Sequence, residues 1–278
     1  MTNKKLKVLY TIPNYDTAGS GKVVYDLVNG LDRSKFDIAI AVEHNRGGFF
    51  KEVEKLGVPI FIQPVTTSYK PYGSLFSRIK KIASFIKKHE FDVVHSWHWS
   101  SDWTEVLAAR MGGAKYVYTK KAMSWGNKHW KIKSYLSNFI VTINHEMVNY
   151  FPKKKEQELI PLGIDMDYYS PKNLERKPNE KFQIVSVANL VEVKGIEVLI
   201  EAVKLLNDDT IEVKIVGDTR SDYAQNLIKS IKDEKTPIAF LGKKPDVRPY
   251  LEAADVYVIP TLNKGRKDGI KEKMFVLN

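Results

Sequence analysis

An α/β fold made of two doubly wound domains in tandem is predicted for this chain of 278 residues. Short apolar segments of strand length alternate with amphipathic segments of helical length, which is typical of parallel sheets covered by helices on both faces. The alternation stops between Pro161 and Asn179, in a stretch with three prolines and no apolar period, and then resumes. We therefore predict one domain over residues 1–172 and a second over residues 173–278.

The first domain repeats a strand followed by a helical segment. Helices are predicted over Lys22–Leu31 and Ser74–His89, and the second of these has Phe76, Ile79, Ala83 and Ile86 on one face. Much of the remaining surface of that helix is basic, through Arg78, Lys80, Lys81, Lys87 and Lys88. The apolar segments predicted as buried strands are Lys7–Ile12, Asp37–Val42, Pro59–Ile62, Asp92–His95, Lys115–Thr119 and Phe139–Ile143.

The second domain restarts the alternation after the proline-rich stretch. A helix is predicted over Gly195–Leu206, and its apolar face is made of Ile196, Leu199, Ile200, Val203 and Leu206. The predicted strands are Gln183–Val187, Ile211–Val216, Ile238–Leu241 and Val256–Ile259. These strands leave a doubly wound domain short of an edge strand and its helices, so we expect the second domain to be incomplete.

The composition excludes several classes of protein. Hydrophobic residues make up 43% and charged residues 28%, a balance typical of globular proteins. The absence of cysteine excludes disulfide scaffolds, Cys-ligated metal centres and a cysteine nucleophile. No apolar run reaches the roughly 18 residues of a membrane span, and the N-terminus matches a first strand better than a signal peptide. We therefore expect a cytoplasmic protein.

The positive charge is concentrated in the first half. The formal net charge is +11, and residues 1–170 hold 25 basic against 16 acidic residues, which leaves the second half nearly balanced. Such a surface attracts phosphates, nucleic acid or anionic lipid, and it also promotes solubility without any partner. Nothing in the sequence is similar to a nucleic-acid recognition helix or an aromatic RNA-binding motif, so we predict no nucleic-acid partner.

Two glycines follow the first predicted strand. Gly19 and Gly21 are predicted to lie at the turn into the next helix, where glycine lets backbone N–H groups approach an anion. The dinucleotide fingerprint would need a third glycine at Val24, and the phosphate-binding P-loop would need Ser or Thr at Val23. A tight turn without a ligand explains the two glycines equally well.

Histidines and tryptophans cluster after the fourth predicted strand. His95, His98 and Asp102 have a spacing that could hold a metal, but histidines at strand ends more often form hydrogen bonds, and we predict no metal site. All five tryptophans lie between Trp97 and Trp130. They could stack on sugar rings, lie at a membrane surface or form a local hydrophobic cluster.

The segment with the most specific chemistry opens the second domain. Its first strand leads into a loop with Asn189, and Lys194 precedes Gly195 at the start of a helix. A lysine beside the free N–H groups of a helix start suits a diphosphate. The pattern therefore points to a nucleotide-linked substrate.

Four segments, taken in order, are similar to those of a known enzyme family. They are IPLGID, VSVANLVEVKGIEVLIEAV, VKIVGD and IAFLGKKPDVRPYLEAADVYVIPT. The chain resembles the retaining glycosyltransferases of family 4 over essentially its whole length. The resemblance implies a GT-B fold, in which two Rossmann-like domains face a cleft. It also implies transfer of a sugar from a nucleotide-sugar with retention of anomeric configuration and without an essential metal. In such enzymes the C-terminal domain holds the donor, and the N-terminal domain mostly holds the acceptor.

The resemblance implies roles for individual residues. Lys194 matches the lysine that binds the donor diphosphate, and Asn189 stands where many members have an arginine. Lys121 stands where many members have an active-site histidine, and with His95 it is a candidate catalytic or positioning group. The remaining matches are Gly19 and Gly21 in the loop that closes over the diphosphate, and Gly242 and Lys243 in the loop beside the nucleobase.

The C-terminal segment departs from the family pattern. The family usually has two glutamates after the last strand, one for the donor sugar and one for the ribose. Asp268 stands in place of the first, and Val276, close to the end of the chain, stands in place of the second. We therefore expect the chain to be truncated at its C-terminus and its activity to be reduced or absent.

The expected function is transfer of a sugar from a nucleotide-sugar, most simply UDP- or GDP-linked, to a glycan or lipid-linked acceptor in surface polysaccharide or glycolipid synthesis. The nucleotide-sugar is a substrate, and no cofactor is expected. The basic first half favours peripheral contact with the inner face of an anionic membrane. The alternatives are a catalytically impaired donor-binding or scaffold protein of the same fold and a GT-B nucleotide-sugar epimerase, which would need no acceptor.

Overall fold

The computed structural model describes residues 4–16, 18–121, 127–171, 179–232 and 236–262, together with the backbone of Lys273–Val276. The chain divides into two compact units, Met1–Gly163 and Ile164–Asn278. The division falls within the stretch that the sequence indicates as a linker. The assignment of an acceptor role to residues 1–172 and a donor role to residues 173–278 stays a prediction.

Unit 1 is built on a doubly wound parallel sheet. Within the described residues it has seven strands in the order β3-β2-β1-β4-β5-β6-β7, and every pairing between neighbours is parallel. The chain winds outward from β1 in one direction and then from β4 in the other, so the two central strands end at the switch point where ligands of such sheets bind. The strands are β1 (Leu6–Thr11), β2 (Phe36–Val42), β3 (Ile60–Ile62), β4 (Val93–Ser96), β5 (Lys115–Lys120), β6 (Phe139–Thr142) and β7 (Gln157–Leu159).

Helices cover both faces of this sheet. On β1, Val8 packs in the cluster that contains Val24 and Val28, and Leu9 packs in the cluster that contains Ile86, because neighbouring side chains of a strand point to opposite faces. Each face therefore has its own apolar core. The helices are α1 (Ala18–Gly30), α2 (Phe50–Glu54), α3 (Leu75–Lys88), α4 (Thr104–Met111), α5 (Lys128–Leu136) and α6 (His145–Val148).

Unit 2 has a smaller sheet with the same winding. Its strand order is β10-β9-β8-β11-β12, in which β12 is antiparallel to β11 and the other described pairings are parallel. The strands are β8 (Phe182–Val187), β9 (Ile211–Val216), β10 (Ile238–Phe240), β11 (Val256–Ile259) and β12 (Lys273–Val276). The helices are α7 (Met166–Tyr169), α8 (Ile196–Leu206), α9 (Asp222–Ser230) and α10 (Arg248–Ala253).

The strands predicted from apolar runs are confirmed, and two others are not foreseen. β7 is short and has a charged residue at its centre, so it lacks an apolar run, and β12 follows a charged stretch. The four strands predicted in the second domain are joined by β12, which pairs antiparallel with β11. Helix α1 begins four residues before the predicted start, which places Gly19 and Gly21 in its first turn and not in the preceding loop. No helix of the described residues is long and apolar enough to cross a membrane.

Candidate functional site

The loops that follow β8, β9 and β10 converge at the carboxyl edge of the unit 2 sheet. The backbone N–H of Gly217, after β9, donates to the carbonyl of Gly242, after β10, at 3.2 Å. A Cβ on Gly217 would overlap the carbonyl oxygen of Ala188, after β8, so this close approach requires glycine. Asn189 is exposed directly beside this junction. The structure therefore brings two of the predicted donor-binding residues, Asn189 and Gly242, to one edge.

Lys194 stands at the start of helix α8 on the same edge. It ends a 3₁₀ turn over Glu192–Lys194, and Gly195 follows with a φ of 62° and becomes the N-cap of α8. Among the described residues, no side chain caps this helix start. The first N–H groups of a helix have no intrahelical acceptor and carry a partial positive charge. A partly buried lysine beside such a helix start is suited to bind a diphosphate.

Gly195 also makes a close contact that only glycine permits, because a Cβ there would overlap the carbonyl oxygen of Pro260, after β11. We expect Gly195→Ala to destabilise unit 2 by more than the roughly 1–2 kcal/mol that a left-handed backbone costs an L-residue. The matched control is Gly242→Ala, since Gly242 has a φ of 71° but open space around a Cβ. Hydrogen exchange in unit 2 would measure both changes, and equal losses would contradict the role assigned to the Pro260 contact.

Charged residues line the loops after β9 and β10. Asp218 accepts a hydrogen bond from Nε of Arg220 at 2.9 Å. The pKa of Asp218 lies below its ordinary value, chiefly because of the hydrogen bonds from Arg220 and to a lesser extent because of the charge of Lys243. Lys243 is exposed on its loop. Asp268, the remaining residue of unit 2 predicted to bind the donor, lies outside the described residues.

Lys121 is the central polar residue at the carboxyl edge of the unit 1 sheet. Its Nζ donates to the carbonyl oxygen of Trp97 at 2.5 Å and to Oγ of Ser20 at 3.3 Å. Ser20 lies between Gly19 and Gly21 in the first turn of α1, so the structure brings three of the predicted residues together. Gly19 is exposed with open space around it, and Gly21 is buried.

The tight packing of Gly21 gives this glycine a structural role. A Cβ on Gly21 would lie 2.8 Å from Cδ1 of Tyr15, whose ring is buried against it. The close packing against Tyr15 therefore explains why a glycine stands at position 21. Of the two glycines, Gly19 is the one that packing leaves free for a ligand.

His95 lies beside Lys121 as an uncharged, hydrogen-bonded residue. Its Nε2 is 2.8 Å from Oγ1 of Thr119, and its ring lies against the rings of Tyr10 and Trp97. Burial, and next the charge of Lys121, lowers the pKa of His95 to about 4. The imidazole is therefore neutral at physiological pH.

His98 and Asp102, whose spacing with His95 could hold a metal, occupy separate environments. Asp102 accepts from the backbone N–H of Thr104 at 2.8 Å, next to the start of α4. His98 is buried, its Nε2 has no hydrogen-bond partner among the described residues, and burial lowers its pKa to about 4. In the described part of the chain, no group of three or more histidine or acidic side chains is arranged to hold a metal ion.

A buried polar network lies beneath Lys121, and none of the sequence motifs indicated it. The carboxylate of Glu105, on α4, is fully buried and accepts hydrogen bonds from Thr11, at the end of β1, from Ser96 at 2.7 Å and from the Tyr116 hydroxyl at 2.7 Å. Lys133, on α5 and also fully buried, places its Nζ 3.6 Å from the same carboxylate. The signal in the sequence is a single glutamate inside the apolar run of α4.

The two charges of this network stabilise one another. Burial opposes ionisation of Glu105, but the neighbouring His98, the Lys133 ammonium and the hydroxyl donors hold the pKa of Glu105 below its ordinary value. Burial lowers the pKa of Lys133, and the charge of Glu105 opposes that shift. The network joins the ends of β1 and β4 to α4 and α5, and it therefore supports the edge on which Lys121 lies.

The amine of Lys121 should make the stability of unit 1 depend on pH. Burial, and next the charge of Lys133, lowers the pKa of Lys121 to about 7, whereas a lysine in an unfolded chain has a pKa near 10.4. Between these two values the unfolded chain binds more protons, so stability rises with pH. We expect Lys121→Met to flatten that rise, and the exposed Lys128→Met to leave it unchanged. Tryptophan-monitored melting across this pH range measures the slope, and an unaltered slope in Lys121→Met would contradict the assignment.

The comparisons with known proteins agree with this geometry. The family model described as Glycosyltransferase Family 4 matches residues 17–168, and the one described as Glycosyl transferases group 1 matches residues 181–275. The colanic acid biosynthesis glycosyltransferase WcaL of Escherichia coli (strain K12) is 31% identical over 116 residues, which is 39% of this chain. The match spans 28% of the length of that relative.

Solved structures show the same fold at low sequence identity. A glycosyltransferase from Rickettsia africae matches with a TM-score of 0.71 and 19% identity, over 93% of this chain and 73% of its own. Anabaena Alr3699/HepE, solved with UDP and glucose, matches with a TM-score of 0.70 and 16% identity, over 92% of this chain and 74% of its own. These neighbours establish a GT-B fold. Because the first family model covers more than half of the sequence, the chain belongs to Glycosyltransferase Family 4.

Proposed function

We propose that the protein transfers a sugar from a nucleoside diphosphate sugar to a glycan or lipid-linked acceptor in surface polysaccharide or glycolipid synthesis, with retention of anomeric configuration. The observation that carries the proposal is the carboxyl edge of unit 2, where three loops converge beside Lys194 and the uncapped start of α8. The relative from Escherichia coli is named for colanic acid synthesis, and HepE was solved with UDP and with UDP-glucose. These relatives favour a uridine donor and a polysaccharide product, with a GDP-linked donor as the next choice.

In this proposal unit 2 holds the donor. The ammonium of Lys194 and the first N–H groups of α8 bind the diphosphate, and the loop with Gly242 and Lys243 lies beside the nucleobase. Asn189 extends the polar surface at the same edge. During transfer the bond between the anomeric carbon and the phosphate oxygen breaks, and the diphosphate leaves with additional negative charge. Lys194 stabilises that charge. Electrostatic stabilisation of charge that develops in the transition state is usually the largest single contribution to catalysis.

Unit 1 holds the acceptor in this proposal. An acceptor hydroxyl oxygen forms the new bond to the anomeric carbon, and its proton passes to the departing phosphate on the same face of the sugar. Lys121 donates hydrogen bonds and His95 is neutral at physiological pH, so both groups are suited to hydrogen-bond a hydroxyl. Their proposed task is to position the acceptor hydroxyl.

A transfer assay with defined donors tests the proposal. The purified 278-residue chain is incubated with UDP- and GDP-linked sugars and a series of glycoside and lipid-linked acceptors, without added metal. We expect nucleotide release that depends on acceptor, at the reduced rate implied by the departures from the family pattern at Asp268 and Val276. Proton NMR of the product should show the anomeric configuration of the donor. An inverted product would contradict retention. Saturable donor binding without any turnover would support a donor-binding protein over an enzyme, and donor epimerisation without an acceptor would support an epimerase.

The basic face of α3 supports peripheral membrane contact as part of the same proposal. Lys80, Lys81, Lys87 and Lys88 are exposed. Arg78 is not available for contact with lipid, because its guanidinium donates a hydrogen bond to the carbonyl of Ser68 at 2.7 Å. Each of these four lysines would contribute about 1 kcal/mol to the free energy of binding to an anionic membrane surface.

We expect the protein to sediment with vesicles that contain phosphatidylglycerol, and less so as salt rises. The double variant Lys80→Glu/Lys87→Glu should lose most of this binding, because each change replaces attraction with repulsion. The matched control is Lys229→Glu/Lys232→Glu in unit 2, which makes the same change in net charge. Equal loss in both variants, or binding that is independent of salt, would contradict the assignment to α3.

A further inference from the structure

Trp99 differs from the other tryptophans that the structure describes. Its side chain is 51% exposed, whereas Trp97 is 2% exposed and Trp103 and Trp130 are packed against the core. A single exposed aromatic residue is ordinary on a protein surface. The position of Trp99, at the carboxyl edge directly after β4, makes it a candidate for contact with a ligand.

The short segment that carries Trp99 is anchored on both sides. The backbone N–H of Trp97 donates to the carbonyl of Thr11 at 2.7 Å, and the carbonyl of Trp97 accepts from Lys121. On the other side, the carbonyl of Ser100 accepts from Nζ of the fully buried Lys133 at 3.4 Å. Because the backbone is tied to the core at Trp97 and at Ser100, the segment that carries Trp99 has little backbone freedom to lose on binding.

Polar donors lie next to the exposed indole. Nζ of Lys121 is 5.4 Å from the ring centre of Trp99 and 5.3 Å from that of Trp97, and it also contacts Oγ of Ser20. An aromatic face for the C–H groups of a pyranose, with amine and hydroxyl groups beside it for the sugar hydroxyls, is the composition of a carbohydrate site. A lipid phosphate alone would use the amine and leave the indole without a function.

We propose that Trp99 is the platform on which the terminal pyranose ring of a glycan acceptor stacks, and that Lys121 holds one of the hydroxyls of that ring. The inference rests on the proposed function and specifies its acceptor as a neutral hexopyranose at the end of a glycan. It also assigns a task to Glu105 and Lys133, which hold the segment that presents the indole.

The binding test uses NMR and requires no activity. In a sample with ¹⁵N-labelled tryptophan, Trp99→Phe identifies the indole signal of Trp99 by its loss. The sample is titrated with methyl glucopyranoside, methyl galactopyranoside and methyl mannopyranoside, and with glycerol as a polyol control. We expect a saturable shift of the Trp99 signal with at least one pyranoside and none with glycerol. An unmoved signal with every pyranoside would overturn the proposal.

Kinetics separate this inference from the proposed function. We expect Trp99→Ala to raise the acceptor KM about tenfold, with Trp99→Tyr in between. The matched control is Tyr72→Ala, which removes another exposed aromatic ring from unit 1. An unchanged KM in Trp99→Ala would overturn the stacking role. Failure of the wild-type chain to hydrolyse or transfer any donor would instead contradict the proposed function, and the NMR titration would still decide the role of Trp99.

Discussion

Replacing Glu105 with alanine should destabilise unit 1 by about 3–5 kcal/mol. The substitution leaves the ammonium of Lys133 fully buried without its carboxylate, and it removes the acceptor for the hydroxyls of Thr11, Ser96 and Tyr116. Buried donors without a partner each cost free energy in addition to the lost ion pair. A loss of this size is a large fraction of the stability of an ordinary domain.

Tryptophan fluorescence can measure this effect selectively, because all five tryptophans lie in unit 1. Glu105→Gln should cost less than Glu105→Ala, since the amide oxygen still accepts hydrogen bonds. The double variant Glu105→Leu/Lys133→Met should recover much of the loss, because apolar replacement of both partners removes the unpaired charge. The matched control is Glu54→Ala at an exposed position of α2, for which we expect a change within about 0.5 kcal/mol. A similar small change in Glu105→Ala would contradict the structural role of the network.

Replacing Lys194 with methionine should reduce donor affinity and turnover about ten- to a hundredfold. Methionine keeps the length and the apolar stem of the side chain but removes the charge-assisted hydrogen bonds to the diphosphate, which contribute about 1.5–3 kcal/mol. Because the charge on the diphosphate increases as the glycosidic bond breaks, kcat should fall as well as affinity. The thermal stability of the apo protein should change little, since the side chain is only partly buried.

The control for this prediction is Lys229→Met, which removes a lysine from α9 without touching the proposed donor edge. Initial rates at varied donor concentration give kcat and KM for both variants. Lys194→Arg should recover part of the activity, because it restores the positive charge. Wild-type kinetics in Lys194→Met would exclude Lys194 from the donor site.

Much of the fold follows from local sequence patterns. Apolar runs such as residues 38–42, in β2, become interior strands because they can bury both faces in a parallel sheet. The sequence does not predict β7, because its three residues include a charged side chain and lie at the edge of the sheet. The sequence predicts a later start for α1 than the structure has, because glycine is a poor helix former. Packing of Gly21 against Tyr15 overrides that preference.

The candidate site was less completely predictable than the fold. The sequence pattern identified Lys194 and Gly195, since a lysine and a glycine at a helix start have a local signature. The pair of Glu105 and Lys133 has none, because the two residues lie on different helices and their contact depends on how α4 and α5 pack on the sheet. The exposure of Trp99 likewise depends on the hydrogen bonds that hold its neighbours, and these become visible only in three dimensions.

We propose that the carboxyl edge of unit 2 binds a nucleoside diphosphate sugar, and hydrogen exchange can locate that binding along the chain. The wild-type chain is titrated with UDP, UDP-glucose and GDP. We expect saturable protection at the first turn of α8 and in the loops that contain Gly217 and Gly242, with one nucleotide favoured, and no change along α3. A cooperatively folded protein that shows no saturable protection with any of these nucleotides, or protection confined to segments away from this edge, would contradict it.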